Sequence, residues 1–300
     1  MTNLLLLGIC LVIGLLFQQL KNLPKDMHQA INIIILYVPL PALALLSIPE
    51  LEWRLDLFSL CLVPWFLFIV AFFLFRFLGK QFDWSHSVIG CLILTAGLGN
   101  TAFVGYPVIE ALFGKEALKY AVFLDQPGTF LVVSSLGVWV AAFYSSGNLR
   151  KRDLARKIIT FPPFVGFIVS LSLGLWGWRA EGDIRVILER LGSILTPLAL
   201  ISVGLQLKLR EIKYDLKFLL FGLGYRLVIA PGMIFLLYRT LGIQGLIFKV
   251  AVLEAGMAPM ITASILAQVY GLHPRLAGSI VGIGVPLSFV TVGMWYWFVS

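Results

Sequence analysis

Apolar runs of about twenty residues, separated by short polar or turn-rich connections, follow one another along almost the whole chain. A helix that crosses the hydrocarbon core of a bilayer needs about 20 such residues. The predicted transmembrane segments are 3–20, 29–48, 57–78, 85–111, 119–145, 157–178, 187–207, 215–240, 245–270 and 275–299. The pattern therefore predicts an all-α membrane protein of ten transmembrane helices, with little chain left for a soluble domain.

The fourth and ninth segments are both interrupted by glycine and proline. The first interruption runs from Gly97 to Pro107 and the second from Glu254 to Pro259. Proline lacks a backbone N–H and glycine weakens a helix, so both residues disturb the helical hydrogen-bond ladder. Non-helical backbone at membrane depth survives only where it is buried in protein or lines a cavity. Two such breaks in matching segments are typical of a transporter with a solute site near the bilayer midplane.

A short basic connection, residues 147–157, divides the ten segments into two sets of five, 1–146 and 158–300. The two sets resemble each other weakly at nearly equal spacing. The matching pairs are Pro41 with Pro197 and Gly114 with Gly271. An odd number of spans per repeat places the second copy upside down relative to the first. The chain is therefore predicted to be a 5+5 inverted repeat with broken, crossing helices in its fourth and ninth spans.

The composition agrees with a membrane environment and the charges indicate an orientation. Hydrophobic residues make up 60% of the chain and charged residues 13%, against about 25% charged residues in soluble domains. With the N-terminus outside, the inner connections carry 14 lysines and arginines and the outer ones carry 8. This excess predicts that both termini face outward. The net charge of +8 is thereby explained by orientation in the bilayer, and no nucleic-acid partner is expected.

The breaks expose backbone groups with a direct chemical use. An interrupted helix presents N–H groups at its new N-terminal end and C=O groups at its new C-terminal end. The first suit an anion and the second suit a cation. We expect Asn100 and Thr101 to hydrogen-bond a substrate carboxylate or to coordinate a cation. The other residues predicted at the substrate site are Gly99, Gly105, Pro107, Met257, Ala258, Pro259 and Arg226.

Three charged residues fall deep within the predicted segments: Asp125, Arg226 and Glu254. Each costs at least ~2.5 kcal/mol at the centre of a bilayer and is a functional candidate by default. Glu254 and Asp125 are predicted to couple transport to an ion, either H⁺ or Na⁺, and a sodium site is expected at Glu254 with Asn100 and Thr101. Arg226 pairs with a carboxylate or binds the substrate. No other cofactor is expected, because the three cysteines and three histidines do not cluster.

The motif Asn100-Thr101-x-x-x-Gly105-x-Pro107 resembles the auxin efflux carrier family. Segments 254–259 and 270–274 are similar to the second signature of that family. The family includes plant PIN-type auxin carriers and bacterial permeases proposed to carry malate or malonate. The resemblance extends over the whole chain.

The resemblance implies a scaffold domain from spans 1, 2, 6 and 7 and a transport domain from spans 3–5 and 8–10. It also implies that the fourth and ninth spans cross at the substrate site. The scaffold domain is the expected surface for a homodimer. The central connection is much shorter than in plant carriers, and the bacterial-type members that this favours lie in the cytoplasmic membrane.

Two departures from the plant pattern concern the site. Gly99 stands where the plant carriers have proline, and Glu254 stands where they tend to have glutamine. The more distant bile-acid sodium symporters use an acidic residue near the ninth-span break to bind sodium. Glu254 therefore raises the question of cation coupling and makes auxin a less suitable substrate.

The function predicted from these features is secondary transport of a small organic anion such as a carboxylate, by alternating access of elevator type. The alternatives are an ion channel or an uncoupled uniporter for organic anions. A channel favours rings of like charges from symmetric subunits. An enzyme is not expected, because the sequence contains no nucleophile–base or metal-ligand motif.

Overall fold

The computed structural model describes residues 2–20, 22–24, 26–51, 55–145, 162–206 and 216–300. The predicted central connection, residues 147–157, lies outside the described residues. The described part consists of helices joined by short turns and loops, with one isolated bridge between two backbone segments.

Sixteen α-helices are described. They are α1 (Thr2–Phe17), α2 (Met27–Tyr37), α3 (Pro39–Ser47), α4 (Leu55–Gln81), α5 (His86–Gly97), α6 (Tyr106–Phe113), α7 (Leu118–Leu124), α8 (Val138–Tyr144), α9 (Pro162–Leu175), α10 (Gly182–Ser193), α11 (Leu195–Gln206), α12 (Leu216–Gly224), α13 (Ala230–Thr240), α14 (Gly245–Ala255), α15 (Ile261–Val269) and α16 (Pro274–Val299). Wider, π-helical turns cover Thr101–Gly105, Asp125–Phe130, Val133–Gly137 and Tyr225–Ile229, and a 3₁₀ turn covers Lys115–Ala117.

Six continuous helical stretches in the described ranges are long and apolar enough to cross a membrane. They are Met27–Ser47, Leu57–Gln81, Lys115–Tyr144, Gly182–Gln206, Leu216–Thr240 and Pro274–Val299. Shorter apolar helices occupy Leu5–Phe17, His86–Gly97, Thr101–Phe113 and Val165–Leu175. The predicted ninth segment consists of α14 and α15. All ten predicted segments thus contain helix, while the inverted 5+5 repeat stays a prediction.

Helix starts in this fold follow from local capping chemistry. α5 begins after Ser85, whose side-chain oxygen accepts a hydrogen bond from the N–H of Val88. α16 begins at Pro274, after His273, whose Nδ1 accepts from the N–H of Leu276 at 3.3 Å. Proline suits a first helical position because its missing N–H has no helical partner there. These caps set the start of α5, which leads into the first break, and of α16, which packs against α5, α14 and α15.

The helices form two packed groups. In one group α1 packs along α11, α11 on α2, and α3 against α9 and α10. Gly14 and Gly204 allow the close approach of α1 and α11, since a Cβ at Gly14 would lie 2.8 Å from the Gly204 Cα. In the other group α4 packs against α5 and α14, and α16 against α5, α14 and α15. The division into a scaffold and a transport domain stays a prediction, and these contacts are compatible with it.

Candidate functional site

The two interruptions predicted from glycine and proline lie against each other. α5 ends at Gly97 and is followed by the extended Leu98, whereas α14 ends at Ala255 and is followed by a turn at Gly256 before the chain becomes extended at Met260. Asn100 N–H donates to the Ala258 carbonyl at 2.7 Å, and Met260 N–H donates to the Leu98 carbonyl at 3.0 Å. This short antiparallel bridge satisfies backbone groups that the helices leave free, as burial in a membrane requires.

Arg226 reaches this bridge from the π-helical turn between α12 and α13. Its side chain is buried, with 3% of its surface exposed. Nε donates to the Met257 carbonyl at 3.1 Å, Nη2 to the Glu254 carbonyl at 3.2 Å, and Nη1 to the Gly97 carbonyl at 3.4 Å. The predicted partners of Arg226 were carboxylates. Its three side-chain hydrogen bonds given above end on backbone carbonyls of both breaks.

Asp125 lies on the next helical segment and is held by three donors. Its carboxylate accepts from the Thr101 hydroxyl at 2.5 Å, the Tyr106 hydroxyl at 2.9 Å and Gln126 Nε2 at 2.9 Å. All four side chains are buried. Thr101 and Tyr106 belong to the first turns after the fourth-segment break, so the carboxylate joins that break to the predicted fifth segment.

Glu254 stands in a different environment. It is 1% exposed, and neither Oε atom has a hydrogen-bond partner among the described residues. The carboxyl lies against the backbone of Gly105, where a Cβ would come within 2.7 Å of Oε1. Asp125 and Arg226 are both near enough to act on it electrostatically. Because an ionised carboxylate without partners is costly to bury, Glu254 is suited to bind a proton or a positively charged group.

The two polar atoms of the Asn100 side-chain amide differ in their hydrogen bonds. Its Oδ1 accepts from the Phe103 N–H at 3.2 Å and caps the turn that follows the break. Its Nδ2 has no partner within the described part of the chain. Of the three groups predicted to hold sodium, Thr101 donates to Asp125 and Asn100 Oδ1 is a cap, which leaves only the Glu254 carboxyl unengaged.

The remaining predicted substrate-site residues are buried around the same bridge: Gly99, Gly105, Pro107, Met257, Ala258 and Pro259. Pro107 lies in the first turn of α6, and Gly99 pairs with Pro259 in the bridge. The structure thus brings all the predicted site residues together at the paired breaks. Their role in binding stays a prediction.

Several polar residues near the site were not predicted from the sequence. Tyr106 and Gln126 complete the donors to Asp125. Glu110 accepts from the Thr196 hydroxyl at 2.9 Å. The signal for Glu110 was present, because it is an acidic residue inside the predicted segment 85–111. Nothing in the sequence indicated which donors would face Asp125, since they meet only through packing.

A separate cavity of about 190 Å³ lies beside Glu110, on the side where residues 48–51 and 114–117 connect helices. Ser47 and Thr196 line it together with charged residues. These charged residues are Glu50, Glu110, Lys115, Glu116, Lys119, Arg185 and Glu189. The cavity lining does not include the residues of the paired breaks. It lies where α3 and α10 face the first turns of the predicted fifth segment.

The described structure has long apolar helices and two buried helix breaks that pair through their backbones. Charged side chains lie at these breaks. These features are those of an integral membrane transport protein. The chain belongs to the membrane transport protein family, whose family model matches residues 1–296. This membership confirms the resemblance to auxin efflux carriers stated above.

Individual relatives agree with the family. A protein named uncharacterized transporter from Methanocaldococcus jannaschii is 28% identical over 98% of this chain and 97% of its own. Another from Methanothermobacter thermautotrophicus is 30% identical over 96% of this chain and 94% of its own. A probable auxin efflux carrier component from rice is 24% identical over 48% of this chain and 25% of its own length.

Proposed function

We propose that this membrane transport protein is a secondary carrier of a small organic anion, such as a carboxylate, and that it works by alternating access of elevator type. The observation that supports this most is the pairing of the two helix breaks. Asn100 N–H bonds to the Ala258 carbonyl, so the unwound backbone of both segments forms one buried polar site. Unwound helices that meet at mid-membrane are the usual frame of a carrier's solute site.

The groups at this site suit a carboxylate. The free Nδ2 of Asn100 is a hydrogen-bond donor. The guanidinium of Arg226 adds a positive charge. Three of its five N–H groups donate to backbone carbonyls, which leaves two for a ligand. Met257, Ala258 and Pro259 offer an apolar wall. A small organic anion would match these groups: its carboxylate would face Asn100 Nδ2 and the Arg226 guanidinium, and its apolar part would face the three apolar residues.

Charge balance supports coupling to a proton. The site contains two buried carboxyl groups, Asp125 and Glu254, and one guanidinium, Arg226. Asp125 is stabilised as an acceptor by three donors, whereas Glu254 has none among the described residues. Glu254 is therefore the carboxyl that would take up the coupling proton. A proton needs no further ligand at Glu254, whereas sodium would need several more oxygens. Thr101 and Asn100 would supply only the lone pairs that their hydrogen bonds to Asp125 and Phe103 leave.

The elevator movement would carry the paired breaks past the group of α1, α2, α3, α9, α10 and α11. The bond between Glu110 and Thr196 crosses from α6 to α11 and would have to open during this movement. We place the protein in a bacterial cytoplasmic membrane with both termini outside, and assign dimer formation, if it occurs, to the first helix group. These assignments extend the same proposal.

Purified protein in proteoliposomes tests the proposal. Mono- and dicarboxylates are first screened by thermal shift, because a ligand that binds the folded state raises its apparent stability. Stabilising compounds are then tested for counterflow and for uptake against a gradient of pH or sodium. Saturable counterflow is the expected result. Unitary currents would instead indicate a channel, and counterflow without accumulation under any ion gradient would indicate an uncoupled uniporter.

A further inference from the structure

The guanidinium group of Arg226 donates hydrogen bonds at the C-terminal ends of both broken helices. Gly97 is the last residue of α5, while Glu254 and Met257 flank the end of α14. The carbonyls of all three accept hydrogen bonds from Arg226. A single side chain from a third helical segment therefore connects the ends of two helices that come from opposite halves of the chain.

The carbonyls of Gly97 and Glu254 belong to the last turns of α5 and α14, and the Met257 carbonyl follows in the break. The Glu254 carbonyl also accepts from the Met257 N–H at 3.3 Å. A positive partner at these helix ends has a physical reason. The last carbonyls of a helix have no intrahelical donor, and they carry the negative end of the helix dipole. At membrane depth water does not satisfy them, and each unpaired buried group costs about 1–3 kcal/mol. In carriers with unwound helices such ends coordinate a mobile cation. In this chain the partner is covalently part of the protein.

The surroundings of Arg226 hold the guanidinium in this position. The Tyr225 hydroxyl donates to the Leu67 carbonyl of α4 at 2.5 Å, and Trp295 Nε1 donates to the Leu227 carbonyl at 3.0 Å. Both bonds fix the π-helical turn from which Arg226 extends. Gly99 leaves the required space, because a Cβ there would lie 2.8 Å from the Arg226 Cζ. The residue that replaces the plant proline thus faces the guanidinium directly.

We infer that Arg226 is a tethered cation, which occupies the place where a mobile metal cation would bind the carbonyl ends of the two broken helices. The helix ends then stay neutralised in every state of the protein, and no ion has to bind there before the substrate anion. The inference adds to the proposed carrier function. It does not depend on it, since the neutralisation of the helix ends is a property of the protein without substrate.

Chemical rescue tests this inference. Arg226→Ala is compared with Arg190→Ala, which removes an exposed arginine in the last turn of α10. We expect the thermal unfolding midpoint of purified Arg226→Ala to fall by about 5 °C or more. Low-millimolar guanidinium or sodium should restore part of this loss, whereas choline at equal ionic strength and urea should not. Arg190→Ala should show neither the loss nor the rescue.

The inference is overturned if Arg226→Ala keeps the wild-type midpoint, or if guanidinium and sodium restore no more than choline does. Arg226→Lys and Arg226→Gln provide a second comparison in case the alanine variant does not fold. Lysine keeps the positive charge and glutamine does not, while both keep an unbranched stem. A higher midpoint for lysine supports a cation at this position, and equal midpoints contradict it. Transport is not measured, so failure here leaves the proposed carrier function to its own test.

Discussion

The carboxyl group of Glu254 lies directly against Gly105, at a distance that leaves no room for a Cβ. A Cβ on Gly105 would come within 2.7 Å of Oε1 and 2.8 Å of the carboxyl carbon. The two residues belong to the two opposing breaks, Gly105 after the first and Glu254 before the second. Gly105 has no side chain, and this allows the Glu254 carboxyl to be buried beside the first break.

Gly105→Ala should displace the Glu254 carboxyl and reduce transport severely. The carboxyl is buried and a Cβ would come within 2.7 Å of Oε1, so the added methyl group forces it out of its place at the cost of overpacking. Uptake into proteoliposomes and the thermal midpoint are the two measurements. Gly224→Ala is the matched control, since a Cβ there meets nothing within 4 Å. Wild-type uptake by Gly105→Ala would show that the contact is not needed for function.

Glu254→Gln should abolish ion-driven accumulation and leave exchange of bound substrate. The amide keeps the size of the carboxyl but cannot ionise or take up a proton. Uptake by the wild type should depend on pH and be insensitive to sodium, and the variant should lose the pH dependence. Glu189→Gln, at an exposed glutamate of α10 paired with Arg185, is the control. Accumulation against a gradient by Glu254→Gln would remove Glu254 from coupling and leave Asp125 as the candidate.

Thr101→Val should lower the free energy of unfolding by about 1–2 kcal/mol, because the buried Oδ1 of Asp125 loses the hydroxyl that donates to it. Combined with Asp125→Asn, the double mutant should show a coupling energy of about 1 kcal/mol. Thr95→Val is the control, since the Thr95 hydroxyl bonds only to the Cys91 carbonyl of its own helix at 2.7 Å. Strict additivity of the two substitutions would mean that this hydrogen bond contributes nothing measurable.

Asn100→Ala should weaken substrate binding by at least about tenfold, or about 1.4 kcal/mol, because it removes the free amide donor of the site. It also removes the cap on Phe103, so some loss of stability is expected as well. Ligand-induced thermal shift separates the two effects, since it compares each variant with and without ligand. Asn32→Ala is the control, because it alters an amide whose oxygen accepts from the Ser202 hydroxyl and which is not part of either break. Wild-type affinity in Asn100→Ala would exclude the residue from contact with the substrate.

The two helix breaks and the buried charged residues could be predicted from the sequence. The breaks follow from local backbone chemistry, and the charged residues stand out because of their energetic cost. Glycine and proline act on the backbone where they stand, so the breaks after Gly97 and Glu254 could be placed. Asp125, Arg226 and Glu254 stood out because charged side chains inside apolar segments are costly and therefore rare. In the described structure Asp125 bonds to Thr101 after the first break, and Arg226 bonds to the Glu254 carbonyl before the second. Their roles in transport stay predictions.

The partners of these residues could not be predicted in the same way. Arg226 was expected to face a carboxylate, and its described bonds end on carbonyls, because only the meeting of two helix ends makes those carbonyls available. Tyr106 follows Thr101 by five residues, and the turn between them is π-helical, so a regular helix would not have predicted that both reach Asp125.

The sequence by itself determined the solvent of this protein, the positions of its apolar segments and the two places where helices break, since each follows from the chemistry of a short stretch of chain. Only the tertiary structure decided how the polar groups left by those breaks are satisfied. Asn100 bonds to Ala258, Arg226 closes both helix ends, and Glu254 is left without a partner in the described part. The Asn100–Ala258 and Arg226–Gly97 pairings join residues more than a hundred positions apart, and the bonds of Arg226 to Glu254 and Met257 join different helical segments. The approach of all these residues is set by packing of the helix bundle.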